Sequence, residues 1–237
     1  MHSVKNNILI VVGFLVLGSL FAFTNHRNSQ RATVADKIIF TSSNNLFVSE
    51  DTVNKLLIQK SVKATISTKE TLALDSIENR LKNIPHVKNA QVYVSVNGLV
   101  NAKITPRKAI GRIYSSDSRY IDEEGVEMPL SNQYAERVPL VYNYKSKSKK
   151  SLVGLLQKIE SDRFFKKLVV GIYCQNNEKF RLKIRDYKGA IEIGKIENLD
   201  KKLANFKVFY AKAINDKLFD KYKKINLQIT NQVVCTK

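Results

Sequence analysis

The segment DSIENRLKNIPHVKNAQVYVSVNGLVNAKI, residues 75–104 of a chain of 237 residues, decides how the first half of the protein folds. Asp75 precedes Glu78 by three residues, which is the spacing of a helix N-cap followed by a carboxylate in the first turn. We therefore expect a helix to begin at Asp75. Pro85 ends this helix because its ring interrupts the backbone hydrogen-bond ladder. The apolar residues of the helix recur on one face: Ile77, Leu81 and Ile84.

Two strands with alternating apolar residues follow Pro85. Their inward-facing residues are Ala90, Val92 and Val94 in the first strand and Val100, Ala102 and Ile104 in the second. A two-residue turn would bury the wrong face of the second strand, whereas a three-residue loop, 96–98, sets Val94 opposite Val100 and Val92 opposite Ala102. We predict this register, with Gly98 in the left-handed conformation.

Upstream of residue 75 the pattern predicts a strand and a first helix. The strand covers Lys37–Phe40, and Ser49 caps a helix that has Glu50 and Asp51 in its first turn. One face of that helix carries the apolar residues Val53, Leu56 and Leu57. The order strand, helix, helix, strand, strand describes a small α+β unit and resembles the POTRA domain, the polypeptide-transport-associated module found next to membranes.

An uncharged apolar run, Ile8–Phe23, lies near the N-terminus. Extended by one residue on each side, it approaches the length needed to cross a bilayer, so we predict a transmembrane helix over residues 7–24. A cleaved signal peptide is the alternative, but the end of the run, FAFT, is a poor cleavage site. Basic residues on both sides leave the orientation open. Because residues 1–6 are too few to fold, we expect this tail in the cytoplasm and the bulk of the chain outside.

The chain after residue 105 has the pattern of a β-rich domain with flanking helices. Apolar residues at helical spacing predict one helix around Leu152–Ile159 and another around Leu203–Ala213. Short strands separated by polar turns are predicted at 169–173, 180–184 and 190–193. In a final strand, Ile225, Leu227 and Ile229 alternate with polar residues.

A series of motifs continues from the hairpin to the last strand. It consists of TPRKAIGRI at 105–113, RYIDEEG at 119–125, MPLS at 128–131, RVPLV at 137–141 and YKKINLQITNQVVC at 222–235. In this order and spacing the motifs resemble the bacterial division protein family FtsQ, called DivIB in some lineages. Ala109 departs from the family, which usually has proline before the Ile-x-Arg strand.

The resemblance and the residue patterns together give one α+β architecture: an N-terminal transmembrane helix, a β-α-α-β-β POTRA domain, and a β-rich domain with flanking helices. The expected boundaries are a cytoplasmic tail at 1–6, the transmembrane helix at 7–24, a stalk at 25–35, the POTRA domain at 36–105 and the β-rich domain at 106–237.

The last strand is the best candidate in the sequence for binding a partner. A terminal strand is often an edge strand, and a partner peptide can extend the sheet there by β-augmentation. The resemblance implies the same, because FtsQ-like proteins bind the division proteins FtsB and FtsL through this region. The residues expected near the contact are Ile225, Leu227, Ile229, Gln232 and Val234. The alternative is that the apolar members are core residues of a covered strand.

The sequence offers little for catalysis, cofactor binding or metal binding, and we expect none of these sites. His86, the one histidine in the expected folded region, follows Pro85 in a turn, where a solvated surface side chain is expected. Asp122, Glu123 and Glu124 precede Gly125 and are expected in a solvated turn. Residues 189–195, GAIEIGK, have the spacing of a phosphate-binding loop, but the hydroxyl residue after the lysine is missing and the segment favours a strand.

The formal net charge is +19, from 40 Lys and Arg against 21 Asp and Glu. Nucleic acid is disfavoured by the anchor and by the lack of an aromatic-basic recognition motif. Anionic lipid headgroups, acidic cell-wall polymers or an acidic partner protein fit a membrane location better. Cys174 and Cys235 either form a disulfide outside the cytosol or remain single buried cysteines.

The expected function is that of a non-enzymatic, single-pass inner-membrane scaffold of type II topology, with most of the chain in the periplasm. As the resemblance implies, it would act at the division septum and link early septal proteins to FtsB, FtsL and the septal peptidoglycan synthase. A POTRA-containing protein-transport or outer-membrane assembly factor is the alternative from another class. A membrane-anchored cell-wall enzyme is disfavoured because the catalytic motifs are missing.

Overall fold

The structure is a computed structural model that describes residues 2–29, 34–40, 47, 74–95, 99–131 and 134–237. The chain divides into two compact units, Met1–Pro106 and Arg107–Lys237. The described α-helices are α1 (His2–Ser29), α2 (Leu74–Lys82), α3 (Lys149–Ser161), α4 (Arg163–Leu168) and α5 (Leu199–Asn215). Single 3-10 turns lie at Ser146–Ser148, Asn176–Glu178 and Phe219–Lys221.

Twelve strands form two sheets within the described residues. The first sheet contains β1 (Val34–Phe40), β2 (Val87–Val94) and β3 (Leu99–Pro106). The second contains β4 (Ala109–Ile113), β5 (Arg119–Asp122), β6 (Glu127–Pro129), β7 (Leu140–Tyr142), β8 (Val169–Cys174), β9 (Phe180–Ile184), β10 (Ala190–Gly194), β11 (Lys224–Asn226) and β12 (Val234–Thr236). This α+β architecture is the predicted one.

Helix α1 contains the apolar run at the N-terminus. Its segment Ile10–Arg27 has a mean hydropathy of 1.4, and none of it is buried within the protein. The helix is long and apolar enough to cross a membrane, and it extends beyond the apolar run at both ends. It is therefore compatible with a single-pass membrane anchor.

The first sheet has the order β1-β3-β2, with β1 parallel and β2 antiparallel to β3. Val94 pairs with Val100 and Val92 with Ala102, so the predicted register is confirmed. Helix α2 buries Ile77 and Leu81 against the sheet. Gly98 and the helix predicted from Ser49 lie outside the described residues.

The predicted start of α2 is wrong by one residue. The helix begins at Leu74, so Asp75 lies in its first turn and does not precede the helix as a cap. Glu78 has a different role from the one predicted for it: its carboxylate accepts hydrogen bonds from the Val92 amide at 3.3 Å and from the Lys82 ammonium. Glu78 thereby joins the helix to β2.

The expectation of a solvated His86 is wrong. The residue is only 8% exposed, and its ring stacks on Phe47 with centroids 5.3 Å apart and an interplanar angle of 14°. Its Nδ1 atom is buried and has no hydrogen-bond partner in the described part of the chain. Burial removes water from the imidazole and lowers its pKa below the ordinary value of 6.5, because the charged form loses hydration.

The second sheet has the order β12-β11-β10-β9-β8-β7-β4-β5-β6. Helices α3, α4 and α5 cover one of its faces, and the residues that face the helices form the larger core. The apolar positions predicted in α3 are all buried there, and those predicted in α5 are buried or half-buried: Leu152, Leu155, Leu156, Ile159, Leu203, Phe206, Tyr210 and Ala213. The predicted strands at 169–173, 180–184 and 190–193 are confirmed.

The predicted final strand is wrong in its extent. Strand β11 ends at Asn226, and the chain then turns through residues 229–232 before β12 runs back antiparallel to β11. The alternation of Ile225, Leu227 and Ile229 matches a strand, but Thr230 and Asn231 are residues that favour turns. Strand β12, and not β11, is therefore the edge strand at this end of the sheet.

The exposure of Asp122 also differs from the prediction. Glu123 and Glu124 are exposed, as expected for a solvated turn, but Asp122 is 1% exposed. Its carboxylate pairs with Arg107 at 2.6 Å and accepts hydrogen bonds from the amides of Glu124 (2.9 Å) and Val126 (2.7 Å). Asp122 thus holds the first residues of the second unit against its first β-turn.

The two cysteines are free thiols in different strands, Cys174 in β8 and Cys235 in β12. Three strands lie between β8 and β12 in the sheet, so the two residues are separated by four strand spacings, about 19 Å. A disulfide needs Cα atoms about 4.4–6.8 Å apart, which this fold excludes. Burial raises the pKa of Cys174 to about 11, so its thiol is neutral and unreactive at physiological pH.

We expect the first unit to lose stability as the pH falls below about 6.5, because unfolded His86 takes up a proton there while the folded side chain resists protonation. The loss is at most about 1.4 kcal/mol per pH unit from this one group. Thermal unfolding of the detergent-solubilised protein at pH 7.5 and 5.5 measures it. His86→Phe should reduce the pH dependence and His26→Gln should not; an unchanged slope in His86→Phe would show that another group is responsible.

Asp122→Ala is expected to destabilise the second unit by about 3 kcal/mol, because it leaves Arg107 without its buried partner and two amides without an acceptor. Asp122→Asn, which keeps an acceptor, should cost less. The free energy of unfolding, followed by near-ultraviolet circular dichroism in urea, provides the measurement. Glu123→Ala is the control and should stay within about 0.5 kcal/mol of the wild type; an equal loss in both variants would contradict the assignment.

Candidate partner-binding edge

The second sheet ends at β12, which pairs with β11 on one side only. The pairs are Lys224 with Thr236, Ile225 with Cys235 and Asn226 with Val234. No strand in the described part of the chain pairs with the other side of β12. Its outer amide and carbonyl groups are therefore available to a strand from another protein.

The five residues predicted near the contact fall into two groups. Ile225 and Leu227 are 0% and 1% exposed and belong to the core beneath the helices. Ile229, Gln232 and Val234 lie at the surface, with Ile229 48% and Val234 39% exposed. The structure thus brings three of the predicted residues to the turn and the edge strand, and places the other two inside the sheet.

Hydrogen bonds hold the turn between β11 and β12 in place. The Asn205 side chain on α5 donates to the Thr230 carbonyl at 2.8 Å. The Leu227 amide donates to the Glu192 carbonyl at 2.8 Å, and the Gln228 amide donates to the Asn226 side chain at 2.9 Å. These bonds fix the edge strand to both the sheet and the covering helix.

The start of β11 is held by a buried tyrosine. Tyr187 donates its hydroxyl hydrogen to the Tyr222 carbonyl at 2.9 Å. A side chain at Gly189 would collide with this ring, since its Cβ would lie 2.3 Å from the Tyr187 hydroxyl oxygen. Burial raises the pKa of Tyr187 to about 12, so the hydroxyl remains a donor at every physiological pH.

The surroundings of the edge combine apolar and basic side chains. Val208 on α5 is 74% exposed and lies one helical turn after Asn205, the residue that contacts the turn. Lys223, Lys224 and Lys237 are exposed at the ends of β11 and β12. Such an arrangement, an apolar centre with a charged rim, is typical of protein interfaces.

Sequence reasoning missed two features of this edge. It placed the last strand at 225–229 and so did not separate β12 from β11, although Thr230 and Asn231 were a turn signal. It also gave no role to Asn205, because the contact between an α5 side chain and a carbonyl twenty-five residues later is tertiary. No local pattern indicates such a contact.

The described residues contain no group of three or more His, Cys, Asp or Glu side chains that could hold a metal ion. A polar cleft of about 780 Å³ lies among the loops after β7, β8 and β10. It is lined by both cations and anions, including Lys145, Lys195, Glu178 and Glu197. The Glu178 carboxylate accepts a hydrogen bond from Ser151 there, so the cleft has no single charge that would select a ligand.

Two charged side chains are buried in the second sheet and its covering helix: Lys202 on α5 and Glu192 on β10. Lys202 on α5 donates to the carbonyls of Ile193 (3.1 Å) and Lys195 (2.7 Å), which ties α5 to the end of β10. Glu192 on β10 pairs with Arg181 on β9 at 2.9 Å. Both groups therefore have structural partners within the sheet and its covering helix.

Comparison with known families finds a matching family model in each of the two units of the chain. A family model described as FtsQ/DivIB, C-terminal related, matches residues 108–236, and a model of the POTRA-like domain matches residues 36–105. No curated protein matched the chain significantly. Because the first model covers more than half of the chain, and because a POTRA-like domain precedes the matched segment, the chain belongs to the FtsQ/DivIB family of non-catalytic cell-division scaffold proteins.

Proposed function

We propose that the protein is a single-pass inner-membrane scaffold of the bacterial division machinery, located at the division septum. Its tail, residues 1–6, lies in the cytoplasm, helix α1 spans the membrane, and the POTRA domain (36–105) and the β-rich domain (106–237) lie in the periplasm. It acts by binding and not by catalysis. Family membership and the apolar α1 support this proposal.

The observation that carries the proposal is the unpaired outer side of β12. An extended segment of an FtsB-like protein adds to this edge as a further strand, held by backbone hydrogen bonds. Val234 and Ile229 supply exposed apolar surface beside the new strand, and the buried Ile225 and Leu227 keep β11 and the adjoining chain in place from inside. Specificity comes from the side chains around the edge, since backbone hydrogen bonds alone do not distinguish partners.

In the cell the scaffold links early septal proteins to the later group that contains FtsB-like and FtsL-like proteins and the septal peptidoglycan synthase. The POTRA domain serves recruitment, and the edge of the β-rich domain engages the later group. The two activities occupy different units of the chain, so a variant can lose one of them and keep the other.

Removing the edge strand by deleting residues 234–237 is expected to weaken binding of the full-length protein, in detergent, to the extramembrane segment of its own FtsB-like protein. Each lost interchain backbone hydrogen bond costs about 1 kcal/mol, so the loss of two or more weakens binding about tenfold or more. Val234→Glu should weaken binding as well, because it places a charge in the apolar part of the edge. Titration calorimetry measures both effects.

Deleting Lys237 alone is the control and should leave the affinity close to that of the wild type. Circular dichroism spectra must show that each variant keeps its fold. Unchanged binding after loss of β12 would rule out the edge as the contact, and failure of the wild type to bind would reject the FtsB-like partner itself.

A further inference from the structure

One face of the second sheet is not covered by any helix in the described part of the chain. Directly paired residues in a sheet point to the same face, so the strand registers identify the side chains that share it. Val234 pairs with Asn226, Asn226 with Glu192, Glu192 with Arg181, Arg181 with Tyr173, and Tyr173 with Tyr142. This continuous row crosses six strands on the face opposite α3, α4 and α5, which we call the open face.

Three tyrosines form one end of the row. Tyr142 and Tyr173 stack with centroids 4.5 Å apart at 13°, and Tyr114 lies 5.3 Å from Tyr142 at 51°. None of the three packs against the core beneath the helices. Tyr114 is 60% exposed although it is a large aromatic side chain. Tyrosine is a residue type enriched at protein interfaces, where its ring supplies contact area at a small entropy cost.

A second row runs beside the first. Arg112 pairs with Leu140, Leu140 with Gly171, and Gly171 with Lys183, and farther along Lys224 pairs with Ala190 and Thr236. The three cations of this row are Arg112, Lys183 and Lys224. None of them has a carboxylate within ion-pair distance among the described residues, and the buried Nε of Arg112 lacks a hydrogen-bond partner.

The only carboxylate in the two rows, Glu192, is already paired with Arg181. The open face therefore carries three cations without a carboxylate partner among the described residues. Lys183 and Lys224 are exposed, whereas Arg112 is half-buried beside Tyr120, its pair on β5, which is 1% exposed. Strand spacing puts Arg112 about 14 Å from Lys183, and Lys183 about 10 Å from Lys224. An extended polypeptide advances about 3.3 Å per residue, so carboxylates about four and then three residues apart would meet these cations in turn.

We propose that the open face binds an acidic, extended segment of a partner protein that lies across the strands, beside the tyrosine row. The binding is separate from β-augmentation, in which a partner strand runs along β12. A second copy of this chain is disfavoured, because its open face carries the same cations and the chain has a net charge of +19. The combination of arginine with stacked tyrosines favours a protein over a lipid surface.

Photocrosslinking in cells tests the proposal on the full-length protein in its own membrane. Tyr114 is replaced with the photoreactive residue benzoylphenylalanine, and Tyr93, which is 44% exposed in β2 of the first unit, serves as the matched control position. We expect position 114 to crosslink to a protein segment rich in Asp and Glu, identified by mass spectrometry of the crosslinked peptide. Position 93 should not give that product.

Charge reversal supplies the second arm of the test. Lys183→Glu together with Lys224→Glu should lower the crosslinking yield about tenfold, because an acidic segment is repelled by the new carboxylates. Both lysines are exposed, so the fold is expected to persist in the double variant. Arg112→Glu, at a half-buried position, is the third variant and should also lower the crosslinking yield. Lys147→Glu, at an exposed position in the 3-10 turn before α3, is the control and should leave the yield unchanged.

Four results would overturn the proposal: no crosslink at position 114, a crosslinked segment without acidic residues, a lipid adduct, or a yield that the charge reversals do not change. Ile229→Glu, in the turn between β11 and β12 and outside both rows, separates this surface from the proposed FtsB-like contact. That variant should reduce edge binding and leave the crosslink at position 114 in place, since about six strand spacings lie between β4 and β12.

Discussion

The packing of three helices against a single face of the nine-stranded sheet is the constraint on which the second unit depends. Helices α3, α4 and α5 supply the apolar side chains that bury Ile172, Leu182 and Ile191 of the central strands. That core fixes which side chain of each strand points inward and which points to solvent. It also leaves the opposite face without a covering helix and the outer side of β12 without a paired strand in the described part of the chain. The edge and the open face are therefore consequences of one packing arrangement.

Much of the fold could be predicted because its signals are local. The spacing of Ile77 and Leu81 indicates a helix, and the alternation around the 96–98 loop is enough to fix the Val94–Val100 register. The positions whose exposure was wrongly predicted depend on tertiary contacts. His86 is buried by Phe47, thirty-nine residues earlier, and Asp122 is buried by Arg107 on a preceding segment. A turn sequence alone indicates exposure, and only the fold brings the covering side chains to it.

The candidate site shows the same division. The C-terminal region could be selected from the sequence because the family resemblance implied a partner contact there, and Val234 does lie on an edge strand. The burial of Ile225 and Leu227 in the core could not be predicted, since an edge strand and a covered strand can have the same alternation of apolar residues. The row of tyrosines was not visible either, because Tyr114, Tyr142 and Tyr173 come together only through the pairing of β4, β7 and β8.

Gly171 limits which side chains can occupy the neighbouring position 142 of the open face. A Cβ atom at this position would lie 3.3 Å from the Tyr142 ring and 3.4 Å from the Lys183 Cβ, so the absence of a side chain is what lets the tyrosine lean over β8. Positions 142 and 171 are therefore coupled by packing. A side chain gained at 171 would require the residue at 142 to move by a few tenths of an ångström or to be smaller, so we expect the two positions to change together among related sequences.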